Sequence, residues 1–246
     1  MKNTLLNHRS IRKYTSEKIP SSLLQTIIEA ACRASTTGNM QLYSIINTTS
    51  QELKEKLAPA HFNQAMVVNA SNVLTFCADF NRFNQWCTLN QANPGYDNFL
   101  SLFTAATDAL LVAQNVAVAA EENGLGICYL GTTIYNADQI IEILNLPNGV
   151  VPITTLTMGW PDEHPKQVDR LPFKAIFHEE VYHDYTPEGI HELYGYKDAI
   201  EENLNFVKEN NKASLAQVFT DVRYKKADNE YFSAKLMKVL KDQGFL

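Results

Sequence analysis

Apolar residues at Leu23, Leu24, Ile27, Ile28, Ala31 and Cys32 follow the i, i+3, i+4 spacing of a helix with one buried face. The spacing predicts a helix that starts at Ser21-Ser22, whose hydroxyls are N-cap candidates. It ends near the polar run Ser35-Thr36-Thr37-Gly38-Asn39. Residues 43 to 49 read as a strand and 51 to 57 as a short helix. The unbroken apolar run Val73-Leu74-Thr75-Phe76-Cys77-Ala78 reads as a buried central strand. Between 98 and 123 a helical pattern is apolar on nearly all sides, which places that helix in a core or a subunit interface. Gly124-Leu125-Gly126 stops it, because glycine permits positive φ, and feeds a strand over 127 to 130. A helix over 137 to 144 and a strand over 150 to 158 follow, closing at Gly159-Trp160-Pro161.

Beyond Pro165 the pattern changes. Residues 187 to 246 are charged and helical, with a thin apolar stripe too small to support independent folding. Such a segment needs another surface, and a partner subunit is the natural one. The expected architecture is therefore α+β: one domain over residues 1–186 and a helical C-terminal extension over 187–246.

Charge narrows the function. The 246 residues carry 21 Lys and Arg against 27 Asp and Glu, a net charge of −6. That balance argues against a general nucleic-acid surface, which needs a basic face to release counterions. No apolar run reaches the length of a membrane span, and the start of the chain lacks the apolar core of a signal peptide. The four cysteines contain no CxxC pair and the six histidines no metal-ligand spacing, so neither a disulfide framework nor a metal is expected. A soluble cytoplasmic protein is the expectation.

Against this acidic background, the stretch His8-Arg9-Ser10-Ile11-Arg12-Lys13-Tyr14-Thr15 stands out. So compact a basic cluster either faces solvent or meets an anion. Gly124-Leu125-Gly126 is not a dinucleotide fingerprint, since the third glycine is missing and a strand follows. Arg170 has Asp169 beside it as a candidate partner.

Taken in order, five segments carry a resemblance. They are residues 8 to 15; Arg33-Ala34-Ser35-Thr36-Thr37-Gly38-Asn39-Met40-Gln41-Leu42-Tyr43-Ser44; Phe76-Cys77-Ala78-Asp79-Phe80-Asn81-Arg82; Gly124 to Gly131; and Met158-Gly159-Trp160-Pro161 with Arg170-Leu171-Pro172. The chain resembles the FMN-dependent nitroreductase family along nearly its whole length, most closely the NADPH-preferring nitro/flavin reductase branch with an extended helical C-terminus. The resemblance implies a nitroreductase-like FMN-binding fold, a mainly antiparallel sheet flanked by helices. It implies a homodimer with two FMN sites at the interface, each walled by both chains, and an extension wrapping the partner.

Residue roles follow by the same resemblance. His8, Arg9, Ser10 and Arg170 surround the FMN phosphate, where cations and a hydroxyl suit a dianion. Arg12 reaches the N1/O2 edge of the isoalloxazine. Thr36, Thr37, Gly38 and Asn39 form a turn supplied by the other subunit, with Gln41 close by. Asn69 lies against the pyrimidine ring. Leu130 and Gly131 present backbone to flavin N5, and Thr132-Thr133 offer hydroxyls beside it. No side chain acts as acid or base; hydride passes between NADPH or NADH and the flavin, then to nitroaromatic, quinone, azo or flavin acceptors. Two other readings keep the scaffold: a flavin reductase supplying reduced flavin, and a non-catalytic flavin-binding protein.

The chain departs from the branch pattern at two places. Val168 stands where a phosphate-binding Lys is usual, with Lys166 two residues earlier as a substitute. The segment that grips the 2′-phosphate of NADPH is reduced to Asn210-Asn211-Lys212, leaving one cation, Lys212.

Overall fold

The computed structural model describes residues 4–246. Its contacts divide the described chain into two compact units: everything up to Lys166 together with Phe232–Leu246, and Gln167–Tyr231. The division differs from the expected boundary at 186/187, because the last helix returns to the first unit.

In the first unit the elements are α1 (Ser21–Ala31), β1 (Tyr43–Thr48), α2 (Gln51–Leu57), α3 (Ala65–Asn69), β2 (Asn72–Asp79), α4 (Asn81–Leu89), α5 (Phe99–Glu122), β3 (Gly126–Leu130), α6 (Ala137–Leu144) and β4 (Val150–Gly159). The strands form one antiparallel sheet in the order β1-β2-β4-β3. Every residue of β2 is buried, the expected result for an apolar run covered on both faces. On one face α1 and α5 pack against Leu74, Phe76, Ile127, Leu156 and Met158. On the other, α2, α3 and α6 enclose Leu57, Val67, Val73, Leu130 and Ile140.

The expected elements are present within a residue or two at their ends. One cap differs: Pro20 occupies the N-cap of α1, Ser21 and Ser22 are its first helical residues, and no side chain caps it. Pro fixes φ near the helical value and so starts the helix without a hydroxyl. Elsewhere side chains do cap: Ser50 accepts from Leu53 N on α2 at 3.4 Å and Asn98 from Ser101 N on α5 at 3.1 Å.

Helix α5 has the length and apolar composition of a membrane-crossing helix, contrary to the expectation that no run reaches it. Here it is a core helix. Its inner face is buried against the sheet, and it carries the fully buried Asp108. That carboxylate accepts from Thr37 N at 3.0 Å, Thr37 Oγ1 at 3.3 Å and Leu42 N at 3.2 Å. The opposite face leaves Phe99, Leu100 and Phe103 at 55%, 74% and 64% exposure, with Leu110 and Leu111 beyond them.

The basic segment closes the β3 edge. Ile11 N donates to Ile127 O at 2.8 Å, and Ser10 forms a parallel bridge with Ile127. Ile11 sits so close to Gly126 that a Cβ there would lie 2.7 Å from the Ile11 Cβ. Tyr14 lies equally tightly on Gly159, and its hydroxyl donates to Ile11 O at 2.7 Å.

The second unit holds α7 (Pro187–Asp198), α8 (Glu201–Glu209) and α9 (Leu215–Val218), the last running into a π-turn over Phe219–Arg223. Pro187 at the first turn and the Thr186 hydroxyl, which accepts from Gly189 N at 3.1 Å, start α7. Helix α10 (Lys226–Asp242) carries the chain back to the first unit. There Leu240 and Phe245 join Phe80, Leu102 and Val151 in a third apolar cluster.

His61 is fully buried, in the 3-10 turn Pro59–His61. Its Nδ1 lies 2.9 Å from Thr132 Oγ1, and its Nε2 has no hydrogen-bond partner among the described residues. Burial pushes the imidazole down to about 4.

Two outcomes follow. Gly126→Ala forces Ile11 to move and lowers stability by about 1–3 kcal/mol, seen as a lower urea midpoint. Between pH 6.5 and 4 the unfolded chain protonates His61 while the folded chain does not, so stability present above pH 6.5 falls as the pH drops. The His61 share reaches about 3 kcal/mol by pH 4. In urea titrations from pH 7 to 4.5, His61→Gln has a visibly shallower pH slope.

Candidate functional site

Backbone contacts fix the basic segment. Arg12 N and Lys13 N both donate to Glu163 Oε1, at 2.6 and 3.1 Å, and Asp162 N donates to Lys13 O at 3.0 Å. Glu163 thus sets the register of the segment while the Arg12 and Lys13 side chains stay exposed. The Arg12 guanidinium lies beside the Cys128 thiol; burial raises that thiol and Arg12 partly offsets the rise. Arg9 donates to Asn7 O at 3.0 Å and lines a cavity of about 450 Å³ with Glu121, Gly124, Gly126 and His164. His8 Nδ1 is 2.7 Å from Glu121 Oε1, near the end of α5. A carboxylate therefore orients this imidazole, as second-sphere acids orient ligand histidines.

Leu130 and Gly131 lie at the end of β3, the strand that the basic segment borders. Leu130 is buried. Gly131 is exposed, and a Cβ built on it would meet nothing within 4 Å. The chain's own packing does not demand glycine at that position. Glycine keeps the space above the strand end clear, which fits a flat group lying on the backbone. Arg12, beside Cys128, puts a cation along the same strand.

The Thr36–Gln41 turn is built by different forces. Gly38, Asn39 and Gln41 have φ of +55°, +56° and +55°, a left-handed run that glycine and asparagine tolerate best. Asp108 holds the turn through Thr37 and Leu42. Arg82 grips its exit, donating to Gln41 O and to Tyr43 O at 3.2 Å. Asp79 steadies Arg82 from 4.0 Å and accepts from Ser44 Oγ.

The turn and the basic segment are not brought together within one chain. The turn leads into β1 and the segment borders β3, the two outer strands of the sheet. Both are tied to α5, at Asp108 and Glu121, thirteen residues or about 20 Å apart along a helix.

The remaining expected residues are placed as follows. Asn69 is the exposed last residue of α3. In the second unit, Arg170 donates to Asp169 O at 2.9 Å and Val168 O at 3.4 Å. The Asp169 carboxylate instead binds Lys197 at 2.6 Å and Tyr196 at 3.2 Å, and Lys197 holds its pKa below the usual value. The candidate ion pair Asp169–Arg170 is therefore not formed. Lys212 pairs with Asp221 at 2.9 Å.

Sequence reasoning missed Asp108, Glu121, Glu163 and His61. Each acts across the fold on a residue at least 66 positions away, and none lies within the anion cluster or turn it supports. The only sequence signal was for Asp108, a lone acid in an otherwise apolar helix.

Comparison with known proteins identifies the family. A family model described as the nitroreductase family matches residues 5–160. An FMN reductase (NADPH) of Bacillus subtilis is 32% identical over 220 residues, 89% of this chain and 87% of that protein. An oxygen-insensitive NADPH nitroreductase of Salmonella typhimurium is 38% identical over 178 residues, 72% of each. A crystal structure from Bacteroides fragilis, described as a candidate oxidoreductase, has a TM-score of 0.98 at 57% identity and covers 99% of both chains. The segments that wall the candidate site up to Trp160 lie within the matched span, and the chain belongs to the nitroreductase family.

Proposed function

We propose that two copies of this chain form a homodimer with two FMN sites, each completed by both subunits. The chain is an FMN-dependent NAD(P)H oxidoreductase. The observation that carries the dimer is the length of α5, about 20 Å, between Asp108, which holds the turn, and Glu121, which holds His8. One chain supplies the basic wall and Gly131; the partner's turn faces it. The exposed apolar stripe on α5 supports the same assembly, since an aromatic and aliphatic patch of this size suits a subunit interface.

In this reading His8, Arg9 and Ser10 hold the phosphate through charge-assisted hydrogen bonds. Arg170 keeps its guanidinium for an anion, because the Asp169 carboxylate is engaged by Lys197. Arg12 sits at the pyrimidine edge of the ring, where a fixed cation stabilises added negative charge and raises the reduction potential. Thr36, Thr37, Gly38, Asn39 and Gln41 close the site from the other subunit, and Asn69 contributes an amide. When bound, FMN supplies the hydride chemistry at N5, accepting from NAD(P)H and passing electrons to an acceptor in a ping-pong cycle. The protein's part is orientation and potential, which needs no acid or base. Lys212 already has Asp221 as a partner, so its grip on a 2′-phosphate is weak and the NADPH preference modest. Four free thiols suit a reducing cytoplasm.

A second reading, reduction of free flavin, is favoured by the activity named for the Bacillus subtilis relative. Steady-state rates with free FMN against nitrofurazone separate the two.

Anaerobic titration tests the main reading. The protein binds FMN, and its visible flavin absorbance bleaches with NADPH or NADH and returns on adding a nitroaromatic; absence of bleaching with both donors defeats it. Within the site, Arg12→Ala lowers the flavin midpoint potential more than Arg9→Ala does. Equal potentials in the two variants refute that division of labour.

A further inference from the structure

We infer that the Thr132 hydroxyl is a hydrogen-bond donor to an oxygen of the electron acceptor, turned outward by His61. The inference rests on the flavin reading of Gly131. It starts from two consecutive threonines with different fates. Thr133 is buried, and its hydroxyl donates to Leu130 O at 3.0 Å, with Thr155 Oγ1 also 3.0 Å away. Thr132 is half-buried, next to Gly131 and its clear space, and among the described residues its hydroxyl bonds His61 Nδ1 alone, at 2.9 Å.

The tautomer of His61 decides what that contact means. The ring is neutral at physiological pH, so it carries one N–H. Placed on Nε2, that hydrogen would be a buried donor with no acceptor among the described residues. Orphaned buried N–H groups are rarer and costlier than a lone pair left without a donor. The hydrogen therefore sits on Nδ1 and donates to Thr132 Oγ1. An oxygen that accepts from one side presents its own O–H elsewhere, and among the described residues no acceptor receives it. A hydroxyl rotor is thereby fixed as an outward donor beside the strand end.

The matching ligand is an acceptor with a nitro or carbonyl oxygen. As electrons arrive, that oxygen gains negative charge and the hydrogen bond strengthens, so the contact favours the transition state over the bound substrate. His61 is a positioning residue: it touches no substrate and acts through Thr132.

The test uses FMN-loaded dimer with nitrofurazone and menadione as acceptors. Thr132→Val lowers kcat/KM about tenfold, the worth of one hydrogen bond of about 1.4 kcal/mol. Thr132→Ser, which keeps the hydroxyl, stays within about threefold of wild type. His61→Leu lowers kcat/KM less than Thr132→Val, and the double variant is no worse than Thr132→Val alone, since both act on one hydrogen bond. Should His61→Leu not fold, the Val/Ser pair decides. Equal kcat/KM for wild type and Thr132→Val, with FMN bound in both, overturns the Thr132 assignment alone. A wild-type protein that takes up no FMN overturns the flavin reading as well.

Discussion

Two carboxylates on one helix, Asp108 and Glu121, hold the two halves of the candidate site, and thirteen residues of α5 keep them about 20 Å apart. A helix packed along its length against a sheet does not shorten, so no loop motion within the chain closes that distance. Within one chain the two halves stay apart by that length of helix. The exposed Phe99, Leu100 and Phe103 lie on the same helix, so the element that separates the halves also carries an exposed apolar face.

The basic wall is organised so that its cations remain available. Glu163 takes two backbone N–H groups and leaves the Arg12 guanidinium to act elsewhere. Gly126 and Gly159 let Ile11 and Tyr14 press onto the sheet, so apolar packing carries the mechanical load and charge need not. His8 does spend its side chain on an internal acid, Glu121. That arrangement differs from a solvated basic face, where arginines and lysines pair with whatever acid is adjacent.

Much of the fold was legible because it rests on periodicity. The buried β2 run, the long α5 and the glycine stop before β3 each follow from local pattern, and the family resemblance ordered them. Two short helices escaped: α3 has five residues, and α4 is polar enough that its buried Cys87 forms no stripe. The expected boundary at 187 took a thin apolar stripe to mean a free extension, whereas Leu240 and Phe245 complete a cluster with Phe80. The anion cluster was visible because its residues are contiguous. Its supports were not, because Glu163, Asp108 and His61 act through contacts that only the folded chain creates.

The return of α10 also changes what the second unit is. Residues 167 to 231 are joined at both ends to segments of the first unit, so in polymer terms they form a closed loop and not a dangling end. The entropy of closing such a loop grows only with the logarithm of its length, by about 0.6 kcal/mol per doubling. Lengthening or rebuilding this insert is therefore cheap for the fold, provided Phe245 and its neighbours remain to fasten it. The sheet and its flanking helices then keep their packing whatever the length of this insert.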